Sequence, residues 1–201
     1  SKMKTTYDYE VKKEARIHLK DFVRDCFPLR TQRKNLKVLT LLGHENLELE
    51  QVWDPLNIPR YNITSVEGNQ EVQDKIDQKC RGTNDIFGNL EDAIKTIEGP
   101  FAVINLDMLS PFTIHQRDIL RQIAYRQLLG EQGVLGTWYL GKREARYTKA
   151  WFQAQQEEHY PESGSNGKLT KRSDLISRMV ASIMIDGKTN GEPHPLADQN
   201  Y

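Results

Sequence analysis

The sequence predicts an α/β fold, built as a doubly wound, mostly parallel sheet with helices on both faces. Five short apolar segments alternate with amphipathic helical segments between residues 36 and 140, which is the pattern of repeated βα units. The fourth apolar segment, residues 101–107 (FAVINLD), is unbroken and ends in a carboxylate. Such a run is typical of a strand buried on both faces of a parallel sheet.

The same patterns predict the elements in order. Apolar residues at helical spacing indicate a first helix over residues 9–27, which Pro28 ends. Strands are predicted at 36–42, 61–66, 85–87, 101–107 and 133–140, and helices at 47–53, 70–79, 90–97, 114–129, 142–156 and 175–184. We therefore expect residues 1–35 to form an N-terminal helix and basic loop, and residues 36–201 to form the α/β domain with an irregular C-terminal extension. That extension either hides further strands or belongs to a shortened domain.

Composition limits the classes of function. The chain has 28 Lys and Arg and 28 Asp and Glu, so net charge does not argue for a general polyanion binder. Its two cysteines lie far apart, and its five histidines show no paired spacing, so neither a disulfide framework nor a metal site is predicted. No apolar stretch approaches the roughly 20 residues that span a bilayer, and we expect a cytoplasmic protein.

The candidate site residues stand at the ends of predicted strands. Ligands of open parallel sheets bind beyond the carboxyl ends of the strands, where Gly43, Glu67 and Asp107 fall. Asp107 is the first catalytic candidate, with a turn or helix cap as the alternative. Glu67 follows Gly43 by 24 positions, close to the spacing at which nucleotide-binding folds place an acid on a ribose hydroxyl pair. A solvated strand end is the alternative for Glu67.

Two more side chains belong to this edge. Asn89, after the third strand, is placed to touch an adenine edge, although a helix cap suits it at least as well. His44 follows Gly43 and could be a base or a ligand contact, or a plain loop histidine. A nicotinamide enzyme is disfavoured because no Gly-x-Gly-x-x-Gly follows the first strand, and no Walker phosphate loop occurs.

The order of these motifs resembles the class I, Rossmann-like methyltransferases that use S-adenosylmethionine. Residues 38–43 (VLTLLG) are similar to the family's first strand and glycine loop, residues 65–67 to its ribose-binding acid, and residues 88–89 to its adenine contact. Residues 105–112 (NLDMLSPF) resemble its segment after the fourth strand. The resemblance implies that Gly43, His44, Glu67, Asn89 and Asn105 bind S-adenosylmethionine, and that Asp107 orients or deprotonates a methyl acceptor, with nucleic acid favoured.

One departure from the family supports an alternative function. His44, Glu45 and Asn46 follow Gly43 where the family carries further glycines, and side chains there occupy space that the cofactor would use. The second function class is therefore a non-catalytic, methyltransferase-like protein that has lost the cofactor and serves a partner.

Two further segments could contact an acceptor. Six cations before the first strand could form an RNA or DNA tract, or a solvated helix face with a basic loop; they are Lys12, Lys13, Arg16, Arg30, Arg33 and Lys34. Residues 142–174 carry aromatic side chains beside a loop rich in Ser, Gly, Asn and Pro. This segment could close over an acceptor, or be an exposed helix and loop.

Overall fold

The structure is a computed structural model that describes residues 6–108, 112–139, 151, 154, 157, 158 and 172–189. The helix predicted at 142–156 lies outside the described residues, apart from Trp151 and Ala154, and so does the loop rich in Ser, Gly, Asn and Pro that follows it. The closing segment proposed at 142–174 therefore stays a prediction, as does the division at residue 36.

The described chain alternates helices and strands. Its helices are α1 (Thr6–Cys26), α2 (Arg30–Arg33), α3 (Gln70–Asp77), α4 (Leu90–Ala93), α5 (Ile114–Tyr125) and α6 (Arg172–Thr189). Its strands are β1 (Val38–Thr40), β2 (Ile63–Glu67), β3 (Asn84–Phe87), β4 (Phe101–Asp107) and β5 (Leu129–Trp138). A π-helix, Leu49–Trp53, and a 3-10 helix, Arg60–Asn62, lie between β1 and β2.

The five strands form one sheet in the order β3-β2-β1-β4-β5. β1 pairs in parallel with β2 and with β4, and β2 pairs in parallel with β3. The chain therefore winds outward in one direction from β1 to β3 and in the other from β4 to β5. This order is that of a Rossmann-like doubly wound sheet, whose ligand crevice lies where the order reverses, between β1 and β4. The predicted fold class is confirmed.

The chain forms two compact units. One comprises residues 1–108 and 129–137 and holds the sheet; the other comprises residues 109–128 and 138–201, in which α5 contacts α6. In the first unit the π-helix buries Leu49, Val52 and Trp53 in one apolar cluster with Val38 and Ile63. No helix in the described part of the chain is both long and apolar enough to cross a membrane.

Several boundaries differ from those predicted. β1 is shorter than residues 36–42, because the chain leaves the sheet after Thr40. α5 ends at Tyr125, and Gly130 lies inside β5 instead of ending the helix. Residues 128 and 129 continue the helical spacing of apolar residues, which is why the pattern extended the helix too far. Asn69 caps α3 as predicted, since its side chain accepts hydrogen bonds from the amides of Glu71 and Val72.

Arg33 holds the end of α1 against the segment before β2. Its guanidinium group is buried, with the residue 8 % exposed. Nε donates to the carbonyl of Leu56 at 2.9 Å, and Nη1 donates to the carbonyls of Phe27 at 2.9 Å and Pro28 at 2.8 Å. These three acceptors lie in loops, where no regular ladder satisfies them, so the fork geometry of arginine is needed here.

We expect Arg33→Ala to lower the free energy of unfolding by roughly 2 to 4 kcal/mol, because it leaves buried carbonyls without donors. Arg33→Lys should recover only part of this loss, since an ammonium group cannot reach three carbonyls in a fork. Urea unfolding measures both. Arg30→Ala, in the same short helix but exposed, is the matched control and should change stability by about 0.5 kcal/mol or less. Equal losses at positions 30 and 33 would contradict this role.

Candidate functional site

A row of polar side chains crosses four strands of an otherwise apolar sheet. Thr40 of β1 pairs with Ser65 of β2 and with Asn105 of β4, and Ser65 pairs with Asp85 of β3. Residues in register on neighbouring strands project from the same face. Thr40, Ser65 and Asn105 are all buried, so each needs a hydrogen-bond partner. Thr40 ends β1, and Asn105 lies two positions before the end of β4, so this part of the polar row lies where the ligand crevice is expected.

Glu48 accepts hydrogen bonds from the members of the polar row on β1 and β4, the strands between which the sheet order reverses. Its Oε1 accepts hydrogen bonds from Thr40 Oγ1 at 2.6 Å, from Trp53 Nε1 at 2.9 Å and from Asn105 Nδ2 at 3.3 Å. Burial raises the pKa of the Glu48 carboxyl above its ordinary value of 4.5, while these three donors and the charge of Arg16 oppose the rise. A carboxyl group with a raised pKa at a ligand crevice is a candidate for proton transfer.

α1 brings two cations to the same crevice. Lys12 Nζ lies 3.3 Å from Asp107 Oδ2, and the side chain of Asp107 is one-third exposed. Arg16 Nη1 donates to Gln51 Oε1 of the π-helix at 3.2 Å. Because Lys12 and Arg16 are four positions apart, they lie on one face of the helix. The structure thus places the predicted catalytic candidate, Asp107, at the end of β4 with a cation already beside it.

The loop after β1 is held by its backbone. Gly43 has a φ of +66°, a conformation that favours glycine. The Leu42 amide donates to Ser65 Oγ at 3.0 Å, Arg81 Nη1 donates to the Gly43 carbonyl at 2.6 Å, and Lys79 Nζ donates to the His44 carbonyl at 2.7 Å. The contacts seen at Gly43 and His44 are therefore made by carbonyl groups.

Arg81 is a second polar residue that the sequence analysis missed. Its side chain is 1 % exposed and pairs with Asp85 at 2.8 Å, at the β3 end of the polar row. Its Nε donates to Thr83 Oγ1 at 3.1 Å. With the bond to the Gly43 carbonyl, all three nitrogens of the group are used, so Arg81 links β3 to the loop after β1.

Glu67 and Asn89 lie on turns that are joined to each other. The Gly88 amide donates to the Glu67 carbonyl at 2.9 Å, which brings the ends of β2 and β3 together. Glu67 Oε1 accepts from the Asn69 amide at 2.8 Å, and Asn89 Oδ1 accepts from the Glu91 amide at 2.8 Å as the cap of α4. The cap foreseen as the alternative for Asn89 is present, and Glu67 is half-buried with one oxygen in a local turn.

The residues at this edge fit S-adenosylmethionine in several respects. A Cβ atom built on Gly43 or Gly88 would meet no atom within 4 Å, so open space borders both turns. Asn46 Oδ1 is buried and accepts no hydrogen bond from the described residues, which leaves it available to a ligand donor. Glu67 can accept hydrogen bonds from two ribose hydroxyls at once. The opposing feature is the loop after β1, whose carbonyls are already bound by Arg81 and Lys79.

The six predicted basic residues do not form one surface. Arg33 is a correction, because its buried guanidinium binds backbone carbonyls and cannot reach a phosphate. Lys12 and Arg16 face the crevice beside Asp107 and Gln51. Arg30 and Lys34 border a groove before β1, and Lys13 is exposed on α1.

Little in the sequence indicates that three residues belong to this site, namely Glu48, Asn46 and Arg81. Glu48 stands between Leu47 and Leu49 in a segment that only its apolar residues marked, and Asn46 belongs to the loop that departs from the family pattern. Among the described residues, no group of three or more His, Cys, Asp or Glu side chains could hold a metal ion. A polar residue inside an apolar helical segment is the one cue that could have identified Glu48.

No protein-family model matches the sequence, and no curated protein matches it. The solved structures that are similar to the chain include fibrillarin, DesVI and CalS10. Fibrillarin from Aeropyrum pernix, in complex with natively bound S-adenosyl-L-methionine, is 17% identical with a TM-score of 0.43, over 76% of this chain and 56% of that one. DesVI from Streptomyces venezuelae is 14% identical with a TM-score of 0.42, over 69% and 58%.

The third structure is SAM-bound CalS10, an amino pentose methyltransferase from Micromonospora echinaspora. It is 13% identical with a TM-score of 0.44, over 70% of this chain and 59% of that one. This chain thus spans 56% to 59% of the length of the three solved chains. TM-scores of 0.42 to 0.44 carry no argument about activity, and the fold assignment rests on the strand order of this chain.

We expect Glu48 to make stability depend on pH. Because folding raises its pKa above 4.5, the folded chain holds this proton more tightly than the unfolded chain, and its contribution to stability is lost as pH rises from about 4.5 through the folded pKa. Glu48→Gln removes the titration and keeps an acceptor oxygen. Relative to this variant, the free energy of unfolding of the wild type should therefore fall over that range, as measured by urea unfolding at a series of pH values.

The matched control is Glu71→Gln, an exposed glutamate on α3. The fall in the free energy of unfolding that Glu48 causes should persist in this variant. The raised pKa would be contradicted if the difference in the free energy of unfolding between the wild type and Glu48→Gln stayed constant with pH. It would also be contradicted if this difference grew in favour of the wild type as pH rises.

Proposed function

We propose that this chain binds S-adenosylmethionine at the carboxyl edge of its sheet and transfers the methyl group to an acceptor, with nucleic acid favoured. One observation carries the proposal. A half-buried acid, Glu67, closes β2 on a turn hydrogen-bonded to the turn of Gly88 and Asn89, beside the strand reversal at which such folds bind nucleotides. The sequence resemblance assigns the same residues to the cofactor.

The cofactor-holding residues would each use a different group. Glu67 offers a carboxylate to the ribose hydroxyls. Asn89 caps α4 through its side-chain oxygen, so its side-chain NH₂ group can contact the adenine edge. Asn46 Oδ1 can accept from a ligand N–H or O–H group. Gly43 and Gly88 leave room for close approach. His44 and Asn105 complete the predicted set, although Asn105 Nδ2 is bound to Glu48.

The acceptor side of the proposal is the crevice between β1 and β4. S-adenosylmethionine supplies an activated methyl group on a sulfonium, so the protein has only to align an acceptor and remove its proton. Asp107 can accept a hydrogen bond from the acceptor, while Lys12 neutralises its charge at 3.3 Å. Glu48 fixes the Asn105 side chain two positions before Asp107, and so stiffens the end of β4.

Nucleic acid is favoured as the acceptor because cations border the crevice. Lys12 and Arg16 lie on the face of α1 that turns toward Asp107 and Gln51, and a phosphate could exchange with either side chain. A cytoplasmic location belongs to the same proposal. Cys26 and Cys80 are both exposed free thiols, which a reducing compartment preserves.

A second candidate function rests on the loop after β1. Arg81 and Lys79 already bind the carbonyls of Gly43 and His44, and this loop has fewer glycines than methyltransferases usually carry. These bonds favour a non-catalytic protein in which the loop is a fixed structural element. Cofactor binding distinguishes the two functions.

Calorimetric titration with S-adenosylhomocysteine is the first test, and we expect binding. Glu67→Ala should weaken it by roughly 1.5 to 3 kcal/mol, the range for hydrogen bonds to a charged group. Glu98→Ala is the matched control, because Glu98 is an exposed glutamate before β4, at the other edge of the sheet, and should leave the dissociation constant unchanged. Absence of binding by the wild type would favour the non-catalytic function, and unchanged binding by a folded Glu67→Ala would remove Glu67 from the site.

We expect Asp107→Asn to keep the fold and cofactor binding while lowering methyl transfer about 100-fold or more, because a positioned acid or base contributes on this scale. Transfer of labelled methyl from S-adenosylmethionine to bulk RNA or DNA measures it. Asp92→Asn, an exposed aspartate on α4, is the control and should retain full activity. Equal activity in the two variants would reduce Asp107 to a turn residue.

A further inference from the structure

We propose that the amino-terminal edge of the sheet carries a binding groove for single-stranded nucleic acid. The groove is an open cavity of about 560 Å³, bordered by Arg30, Lys34, Asp54, Asn57, Arg60 and Tyr61 among others. It lies before β1 and before β2, and β2 of five residues separates it from Glu67 by roughly 16 Å. The groove is therefore distinct from the edge at which we place methyl transfer, and the proposal does not rest on that function.

The charge of the groove is positive once its ion pair is counted. Arg60 binds Asp54 in a fork, with Nε to Oδ1 at 3.0 Å and Nη2 to Oδ2 at 2.6 Å, so this pair contributes no net charge. Arg30 and Lys34 are exposed and form no ion pair with any residue that the structure describes. Arg30, at the start of α2, and Lys34, directly after its end, thus border the groove without a counterion among the described residues, which suits a polyanion backbone.

Tyr61 supplies an apolar surface beside these charges. It is 70 % exposed, although most large aromatic residues of a folded chain are covered. An exposed aromatic ring next to cations is the arrangement that binds unstacked bases, because every base has a face that can stack on it. A duplex hides these faces, so single strands are favoured.

The backbone around Tyr61 is fixed. Asn84 Nδ2 donates to the Tyr61 carbonyl at 2.9 Å, and Asn62 Nδ2 donates to the Lys34 carbonyl at 3.0 Å. Arg60 also donates to the Arg81 carbonyl at 3.3 Å. The backbone that carries Tyr61 and Lys34 is thus held by hydrogen bonds before a ligand arrives, which lowers the entropic cost of binding.

Fluorescence anisotropy with labelled strands of about 12 nucleotides, oligouridine RNA and oligodeoxyuridine DNA, tests the proposal on the full chain without cofactor. We expect binding of one or both, with affinity that falls steeply as salt increases. Preference for RNA would indicate a contact to the 2′-hydroxyl, and equal binding would indicate phosphate and base contacts alone. A duplex of the same length should bind more weakly.

Tyr61→Ala should weaken binding about 10-fold or more, whereas Tyr61→Phe, which keeps the stacking face, should bind like the wild type. Tyr125→Ala, at the exposed end of α5, is the matched control. The double variant Arg30→Gln, Lys34→Gln should lower the magnitude of the salt slope by about 1.4, because each phosphate contact to a single strand contributes about 0.7. Lys13→Gln on α1 should not change the slope. Thermal unfolding establishes that each variant is folded.

The proposed groove would be wrong if the wild type bound neither strand, or if a folded Tyr61→Ala variant bound with wild-type affinity. It would also be wrong if Lys13→Gln lowered the salt slope as much as the double variant does. Equal affinity for duplex and single strands would also exclude stacking as its basis. Because the assay contains no S-adenosylmethionine, loss of cofactor binding or of methyl transfer leaves its outcome unchanged.

Discussion

The register of β1 between β2 and β4 is the constraint on which the site depends. It sets Thr40 beside Ser65 and Asn105 in a buried part of the sheet, and buried polar groups are costly without partners. Glu48 satisfies two of these side chains, and the Leu42 amide satisfies the third. The loop and π-helix after β1 therefore have to return over the strand ends.

That return fixes the geometry of the carboxyl edge. Gly43 makes the left-handed turn, and Arg81 and Lys79 then bind the two carbonyls that follow. In this chain, the side chains of Arg81 and Lys79, which precede β3, hold the loop by hydrogen bonds. A glycine-rich loop instead takes its shape from the wider range of backbone conformations that glycine allows. The arrangement is rigid, and it leaves the Asn46 side-chain oxygen as a buried acceptor without a partner in the described chain.

The two ends of the sheet carry different combinations of charged groups, although the chain is neutral overall. Glu48, Glu67 and Asp107 lie toward the carboxyl ends of β1, β2 and β4, and Arg30 and Lys34 border the amino ends. Carboxylates suit hydroxyl recognition and proton transfer, whereas unpaired cations suit phosphates. One small sheet thus offers two chemically different edges.

The sequence by itself determined the fold class, because five apolar segments alternating with helices leave few topologies other than a doubly wound sheet. It also placed Glu67 and Asp107 at the carboxyl ends of β2 and β4, since a buried strand stops where polar residues begin, whereas β1 ends at Thr40, three positions before Gly43. Only the tertiary structure decided which polar groups meet. Glu48 and Asn105, which both contact the β1 end of the sheet, are 57 positions apart along the chain. Arg33 and Arg30, three positions apart, became a buried structural residue and an exposed groove residue. Local spacing cannot encode such differences, because they depend on strand register and on which carbonyls the loops leave unsatisfied.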